Sequence, residues 1–209
     1  MKSKAVRSVV TAVAVMVVGL CSAFSQSSPA KAAPSSEILV SELNAKPLLL
    51  EKNEGELRTR RIHTDKSATP ASQFMLKVSP KSNGSQHLVA GTEELAPGAA
   101  IRKHKHLSQD EILLIQSGKA HVWLGDQERD LQAGGLVFIP ANTWVSLKNV
   151  GTEPISLTFI FSAPGFEDTM RCNSVPACET PTQITPEQQK DCAHLGHSES
   201  ASRPVEPKK

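Results

Sequence analysis

The stretch from Gly98 to Gly118, GAAIRKHKHLSQDEILLIQSG, constrains the fold of this 209-residue chain more than any other. His104 and His106 stand two residues apart, and side chains at i and i+2 of an extended strand share one face. Turn-forming residues follow, and an apolar strand begins at Glu111. We therefore expect a β-hairpin that brings both imidazoles beside the carboxylate. Two nitrogens and one carboxylate oxygen suit a transition metal such as non-haem Fe(II).

The spacing of glycines, histidines and glutamate over residues 98–118 resembles the first signature motif of the cupin superfamily at every fixed position. A second segment, GGLVFIPANTWVSLKN from Gly134 to Asn149, resembles the second cupin motif, with Pro140 in place. The chain is thus similar to a single-domain, type-2-like cupin. This resemblance implies an all-β fold, the double-stranded β-helix or jelly-roll barrel, to which the sequence adds a short C-terminal helix.

The second motif departs from the family pattern at two positions. Asn142 stands where cupins usually have glycine, a mild change because Asn tolerates left-handed backbone geometry. Val145 occupies the slot of the third metal-binding histidine. Apolar Val145 and Leu147 alternate with polar Ser146 and Lys148, which places Val145 on the buried face. The resemblance therefore implies a metal site reduced to two histidines and one glutamate.

The expected site holds a divalent transition metal, Fe, Mn or Zn, through His104, His106 and Glu111. The expected pocket lining is apolar and consists of Leu113, Leu136, Phe138, Val145 and Leu147. No nucleophile and base with an orienting third group is evident in the sequence, so catalytic residues are not assigned.

Three functions remain open. The first is a metal-dependent small-molecule oxygenase or oxidoreductase, similar to Fe or Mn dioxygenases of the cupin fold. The second is non-catalytic binding of a sugar or organic acid beside a vestigial metal site. The third is a structural role as a homodimer, as the resemblance also implies.

The N-terminus is typical of a secretory signal. Lys2, Lys4 and Arg7 precede an uncharged apolar run over residues 9–20, and small residues follow. We expect cleavage of residues 1–32 and a secreted or periplasmic protein, with an uncleaved anchor or a lipoprotein at Cys21 as the alternatives. Without residues 1–32 the chain has 19 basic and 21 acidic residues, a net charge of −2. This charge gives no basis for binding nucleic acid or an anionic membrane, so we expect a small-molecule ligand.

The remaining chain divides into an N-terminal extension with strands (33–69), the barrel (70–165) and a C-terminal segment (166–209) that contains Cys and His. Strands outside the hairpin are expected at Pro47–Glu51, Glu56–Ile62, Gln73–Val78, Gln86–Leu95, Lys119–Leu124, Arg129–Leu131, Leu136–Ile139, Trp144–Leu147 and Ile155–Phe161. A helical turn is expected just after Pro164. The sequence Thr185-Pro186-Glu187-Gln188 predicts a capped helix that ends near Gly196. The segment from Ser198 onward is expected to be a disordered tail.

Three cysteines remain after the signal: Cys172, Cys178 and Cys192. In an oxidising compartment this odd number predicts one intrachain disulfide and one free thiol, and all three pairings are open. A metal site that uses Cys192 is the alternative, although the paired C-x-x-C spacing of such sites is missing. His121 is an alternative ligand for the barrel site, but we expect an ordinary strand residue.

Overall fold

The structure, a computed structural model, describes residues 45–64 and 72–201. The predicted signal peptide lies outside these residues, as does the end of the predicted tail from 202 onward. The strands are β1 Glu56–Arg60, β2 Ile62–His63, β3 Gln73–Val78, β4 Val89–Leu95, β5 Ala100–His106, β6 Glu111–Ser117, β7 Lys119–Leu124, β8 Gln127–Gln132, β9 Leu136–Ile139, β10 Val145–Asn149, β11 Ile155–Phe161, β12 Ser174–Pro176, β13 Gln183–Ile184 and β14 Ser198–Ser200. The helices are α1 Pro80–Asn83, α2 Phe166–Cys172 and α3 Pro186–Leu195. None of the helices in this part of the chain has the length and apolar character needed to cross a membrane.

Two antiparallel sheets enclose the core. One sheet has the strand order β12-β1-β3-β4-β11-β6-β9, the other the order β14-β5-β10-β7-β8, and β2 and β13 form a short parallel pair. Side chains that alternate inward from both sheets, such as Ile115 and Leu157 from the first and Leu147 from the second, are buried between them. The predicted all-β, jelly-roll class is confirmed.

Strands β3, β7, β9 and β11 have the predicted bounds, but two predictions at the ends of the described chain are wrong. Residues 47–51 form no strand, and Leu49 is fully exposed, because the neighbouring β1 is paired on both sides by β3 and β12. Conversely, Ser198–Ser200 lie in the predicted tail yet form β14, which pairs with β5 at the sheet edge. A polar three-residue strand carries no hydrophobic alternation by which to recognise it.

The C-terminal helix begins as predicted. The Thr185 hydroxyl accepts a hydrogen bond from the Gln188 amide, and the Gln188 side chain accepts one from the Thr185 amide. The helix ends at Leu195, but the left-handed residue after it is His197 (φ 50°) rather than Gly196 (φ −107°). Gly196 is needed for another reason: a Cβ there would lie 2.9 Å from the Cα of Phe166, so only glycine lets α3 approach α2 this closely.

Of the three cysteine pairings, the structure contains Cys172–Cys192, and Cys178 is a free, exposed thiol. The disulfide joins the last residue of α2 to α3, with 5.4 Å between the two Cα atoms. We call α2, α3 and β14 together the cap.

Candidate metal centre

The predicted β-hairpin is wrong, because β5 and β6 do not pair: β5 lies in the smaller sheet and β6 in the larger one. The β5–β6 segment crosses from one sheet to the other and still brings His104, His106 and Glu111 together. One ligand atom from each of the three side chains lies within 4.8 Å of the other two. Among the residues that the structure describes, this is the one cluster of His, Cys, Asp and Glu that can hold a metal ion. The short turn between the strands explains the cluster, because β5 ends at His106 and β6 begins at Glu111.

His104 is held in one orientation by the backbone. Its Nδ1–H donates to the carbonyl oxygen of Arg102 at 2.7 Å, so in the neutral ring the lone pair is on Nε2. Burial, with a smaller effect of the neighbouring His106, lowers the pKa of His104 to about 4. A neutral imidazole with one nitrogen tied to a carbonyl is the form in which histidine binds metals.

His106 and Glu111 lie deeper in the barrel and contact each other. The distance from His106 Nε2 to Glu111 Oε2 is 3.0 Å, and both side chains are buried. Burial lowers the pKa of His106 to about 4 and raises the pKa of the Glu111 carboxyl to about 7. The Glu111 carboxyl is therefore partly protonated near neutral pH, and a metal ion bound to it would displace that proton.

Phe166, the first residue of α2, covers both histidines. Its ring stacks on His104 with 5.7 Å between centroids and meets the edge of His106 at 4.2 Å. Phe161 on β11 packs against both Phe166 and His106. These contacts fix the imidazoles and exclude water around them. Sequence reasoning missed both phenylalanines, although Phe159 and Phe161 could have been found from the alternation in β11.

The cluster opens into a cavity of about 130 Å³, and the structure places Leu113, Val145 and Leu147 in its lining. The prediction for Leu136 and Phe138 is wrong: these side chains are 56% and 53% exposed on the outer face of β9. Their neighbours in β9, at positions 137 and 139, take the inner face instead. Because every residue of β9 is apolar, hydrophobic alternation could not fix its parity.

Val145 lies directly across from His104 in the pairing of β10 with β5, and only 2% of it is exposed. An apolar side chain therefore stands beside the histidine pair. The predicted alternation fails one residue later, since Ser146 is also buried and lines the cavity. The register of β10 against β5 shifts between Val145 and Leu147, and this irregularity interrupts the simple alternation of faces.

The cavity lining also contains an ion pair that the sequence analysis did not predict. Arg60 on β1 forms two hydrogen bonds to Glu93 on β4, from Nε to Oε1 at 2.9 Å and from Nη2 to Oε2 at 2.8 Å. The Glu93 side chain is 3% exposed, and both residues line the cavity. A separation of 33 residues and the absence of a local motif hide such a pair from the sequence.

The other candidate ligands lie elsewhere. His121 on β7 contacts Asp130 on β8, with 2.6 Å between Nδ1 and Oδ1, and is not part of the cavity lining. Cys192 is in the disulfide, so its sulfur is not a thiolate ligand. Lys103 and Lys105, which alternate with the two histidines along β5, lie over the ring of Trp144.

Two residues of the second motif have structural roles. Asn142 adopts the left-handed conformation expected of it, with a φ of 62°. The buried Asn149 donates through Nδ2 to the carbonyl oxygens of Leu95 and Glu153, and its Oδ1 accepts from the Gly151 amide. The motif thus closes the turns that align β10 with β4 and β11.

The two antiparallel sheets and the His/His/Glu cluster between β5 and β6 identify the class of this protein: a β-barrel with a candidate metal centre. Residues 91–161 match the family model described as "Cupin domain". Over these residues the chain is thus similar to cupin domains. A comparison with curated proteins finds no matching sequence.

Solved structures with a similar fold include three proteins of known source. The cupin domain of Cnp3 from Schizosaccharomyces pombe is 20% identical, with a TM-score of 0.41, over 48% of this chain and 66% of that one. A predicted oxalate decarboxylase from Thermotoga maritima is 17% identical, with a TM-score of 0.48, over 56% and 100%. The oxalate decarboxylase of Lactobacillus farciminis, in a formate complex, is 24% identical, with a TM-score of 0.43, over 46% and 30%. The match thus spans less than two thirds of that enzyme's length.

Proposed function

We propose that this protein binds a divalent transition metal through His104, His106 and Glu111 and holds a small organic molecule beside it. The observation that carries this proposal is the convergence of two imidazole nitrogens and one carboxylate oxygen within 4.8 Å on a cavity wall. The donor set fits such an ion, because His104 has its Nε2 lone pair free and Glu111 can lose its proton near pH 7.

The finer proposal is a small-molecule oxygenase or oxidoreductase. A bound Fe(II) or Mn(II) ion would supply Lewis acidity and redox capacity for oxidation of the small molecule. The side chains of the protein hold and shield that reaction: Arg102 orients His104 through its carbonyl group, and Phe166 covers both imidazoles. The apolar wall around Leu113 and Phe161 keeps bulk water away.

A second candidate function is non-catalytic binding of a sugar or organic acid beside a vestigial site. Val145 favours it, because an apolar side chain fills the position of a fourth ligand. The direct contact between His106 and Glu111 also favours it, since each of these groups satisfies the other without an ion.

We further propose that the protein is exported and works outside the cytoplasm. The Cys172–Cys192 disulfide supports this, because disulfides persist in oxidising compartments. Recovery of the mature protein only from the cytoplasmic fraction would contradict it.

The decisive experiment is elemental analysis of the purified protein after reconstitution with Fe(II), Mn(II) or Zn(II). We expect about one equivalent of metal in the wild type, and less than about a tenth of an equivalent in His104→Ala, because two remaining ligands hold such ions poorly. His121→Ala is the matched control, since this histidine lies outside the cavity, and it should retain metal.

A wild type without metal would reject the metal-binding proposal and leave the non-catalytic function. Full metal retention in His104→Ala would place the ion at another site.

A further inference from the structure

The cavity wall carries polar atoms that no described residue satisfies. Five buried side-chain atoms in the described chain have no hydrogen-bond partner, and three of them belong to residues that line this cavity. These three are Ser146 Oγ, Asn173 Oδ1 and Gln189 Nε2. Buried polar groups in native proteins nearly always have a partner. Their concentration on one cavity indicates that their partner is a molecule inside it.

The orientation of both amides is fixed by their other contacts. Asn173, which follows α2, donates through Nδ2 to the carbonyl oxygen of Thr169 at 2.9 Å, so the atom left over is the acceptor Oδ1. Gln189 on α3 accepts through Oε1 from Arg102 Nη1 at 3.1 Å, so the atom left over is the donor Nε2. Asn173 and Gln189 therefore leave one fixed acceptor and one fixed donor among the residues that line the cavity.

Ser146 adds a hydroxyl from the opposite sheet. It lies where the register of β10 shifts against β5, and 4% of it is exposed. A hydroxyl can donate or accept, so Ser146 tolerates either partner.

A ligand hydroxyl is the simplest group that meets these needs, because it can donate to Asn173 and accept from Gln189. A carboxylate alone only accepts and leaves the Asn173 oxygen unsatisfied. A single water molecule also has both capacities, but its share of liquid volume is about 30 Å³. The cavity of about 130 Å³ has room for a larger molecule.

The charges of the lining favour an anion once a metal is bound. Arg60 balances Glu93 in their ion pair, and Glu111 is the one further carboxylate among the described residues of the lining. A divalent ion then leaves the cavity positive, which attracts a carboxylate. This step rests on the metal-binding function proposed above.

We propose that the cavity binds a small hydroxy acid, whose hydroxyl is recognised by Asn173, Gln189 and Ser146. Neither the cupin fold nor the metal cluster specifies this class of ligand. It follows from a fixed donor, a fixed acceptor and a serine hydroxyl that share the cavity with His104 and Glu111.

Calorimetric titration of the Zn(II)-reconstituted protein with lactate, propionate and lactamide tests the proposal. Lactate and propionate differ by one hydroxyl, and lactamide keeps the hydroxyl but lacks the charge. We expect lactate to bind about tenfold more tightly than propionate, which is the effect of one or two neutral hydrogen bonds. Lactamide should bind more weakly than lactate.

Gln189→Glu keeps the acceptor for Arg102 and removes the free N–H donor. Its added charge weakens both acids alike, so the ratio of the propionate Kd to the lactate Kd isolates the hydroxyl. This ratio should fall toward one in Gln189→Glu and fall partly in Ser146→Ala, which loses no hydrogen bond within the described protein. The exposed Gln127→Glu adds the same charge outside the cavity and should keep the wild-type ratio.

An equal affinity for lactate and propionate in the wild type would overturn the proposal. So would a ratio that Gln189→Glu leaves unchanged, because the hydroxyl would then be recognised by the metal and not by the cap. Metal content measured on the same samples separates the two ideas. A protein without metal rejects the proposed function, whereas a metal-loaded protein without a hydroxyl preference rejects only the hydroxy-acid site.

Discussion

The β5–β6 segment and the cap face the same cavity, but they are built in different ways. In the β5–β6 segment, His104, His106 and Glu111 lie within eight positions of one another, and the pairing of β5 with β10 and of β6 with β11 fixes their directions. In the cap, the cavity residues come from α2, α3 and β14, and a disulfide joins the two helices. The barrel sheets thus hold the candidate metal ligands, and a cross-linked, less regular segment holds Gln189, one of the candidate ligand contacts.

This difference teaches which interactions each region needs. The β5–β6 segment depends on the barrel core, because β6 lies between β11 and β9 in the larger sheet and β5 lies between β14 and β10 in the smaller one. The cap has few buried apolar side chains of its own: Cys192 and Ala193 are buried in it, whereas Met170 packs into the barrel core. A small core of this kind is where a disulfide contributes most.

The largest expected effect comes from removal of the disulfide. Cys172→Ala/Cys192→Ala opens a link between residues 20 positions apart, and the free energy of unfolding should fall by about 3 kcal/mol. Chemical denaturation measures this loss. Metal affinity should change less than about tenfold, because the candidate metal ligands lie on β5 and β6 in the barrel sheets.

Cys178→Ser is the matched control, since Cys178 is exposed and unpaired, and it should leave both quantities unchanged. If the double variant loses its metal together with its stability, metal binding by the β5–β6 segment depends on the folded cap, and the two regions are not independent.

The sequence predicted the proximity of the three candidate ligands well because their spacing is local, but it wrongly predicted that β5 and β6 pair as a hairpin. Alternation along β5 and the turn after His106 were enough to bring His104 and Glu111 together. The left-handed conformation of Asn142 and the burial of Val145 followed from the second motif in the same way.

The parts that could not be predicted are those that depend on distant residues or on register. Phe166, Asn173 and Gln189 reach the cavity through the packing of α2 against α3, which no sequence period encodes. The burial of Ser146 needs the register shift in β10. The uniformly apolar β9 gave no signal for the parity of Phe138.

The second effect is a pH dependence of metal affinity that arises from the β5–β6 segment alone. Metal binding needs the Glu111 carboxylate, and burial raises the pKa of this carboxyl to about 7. As pH falls below about 7 a proton competes for the site, so metal affinity should decrease about tenfold per pH unit, or about a hundredfold by about pH 5. The imidazoles, with pKa values of about 4, stay neutral over this range and add no slope.

Titration with Zn(II) at several pH values measures this slope. Glu111→Gln should bind more weakly but with a flat profile between about pH 5 and about pH 7. A flat profile in the wild type would show that the carboxyl does not exchange its proton for the metal. The lactate preference should stay constant between about pH 6 and about pH 7, where both acids are ionised, since the amides of Asn173 and Gln189 do not titrate.

The smallest expected effect comes from restoring the missing ligand with Val145→His. Val145 is buried on the cavity wall and pairs with His104 across β5 and β10, so an imidazole at this position can join the cluster. We expect metal to bind about tenfold more tightly, because a fixed protein ligand replaces water. Leu147→His is the matched control: it places the same side chain two residues further along the strand, opposite Ile101 instead of His104.

Chemical denaturation of both variants measures how much the larger side chain lowers the free energy of unfolding. Tighter binding in Val145→His alone would show that strand register sets the completeness of the site, and equal behaviour of the two variants would contradict that assignment.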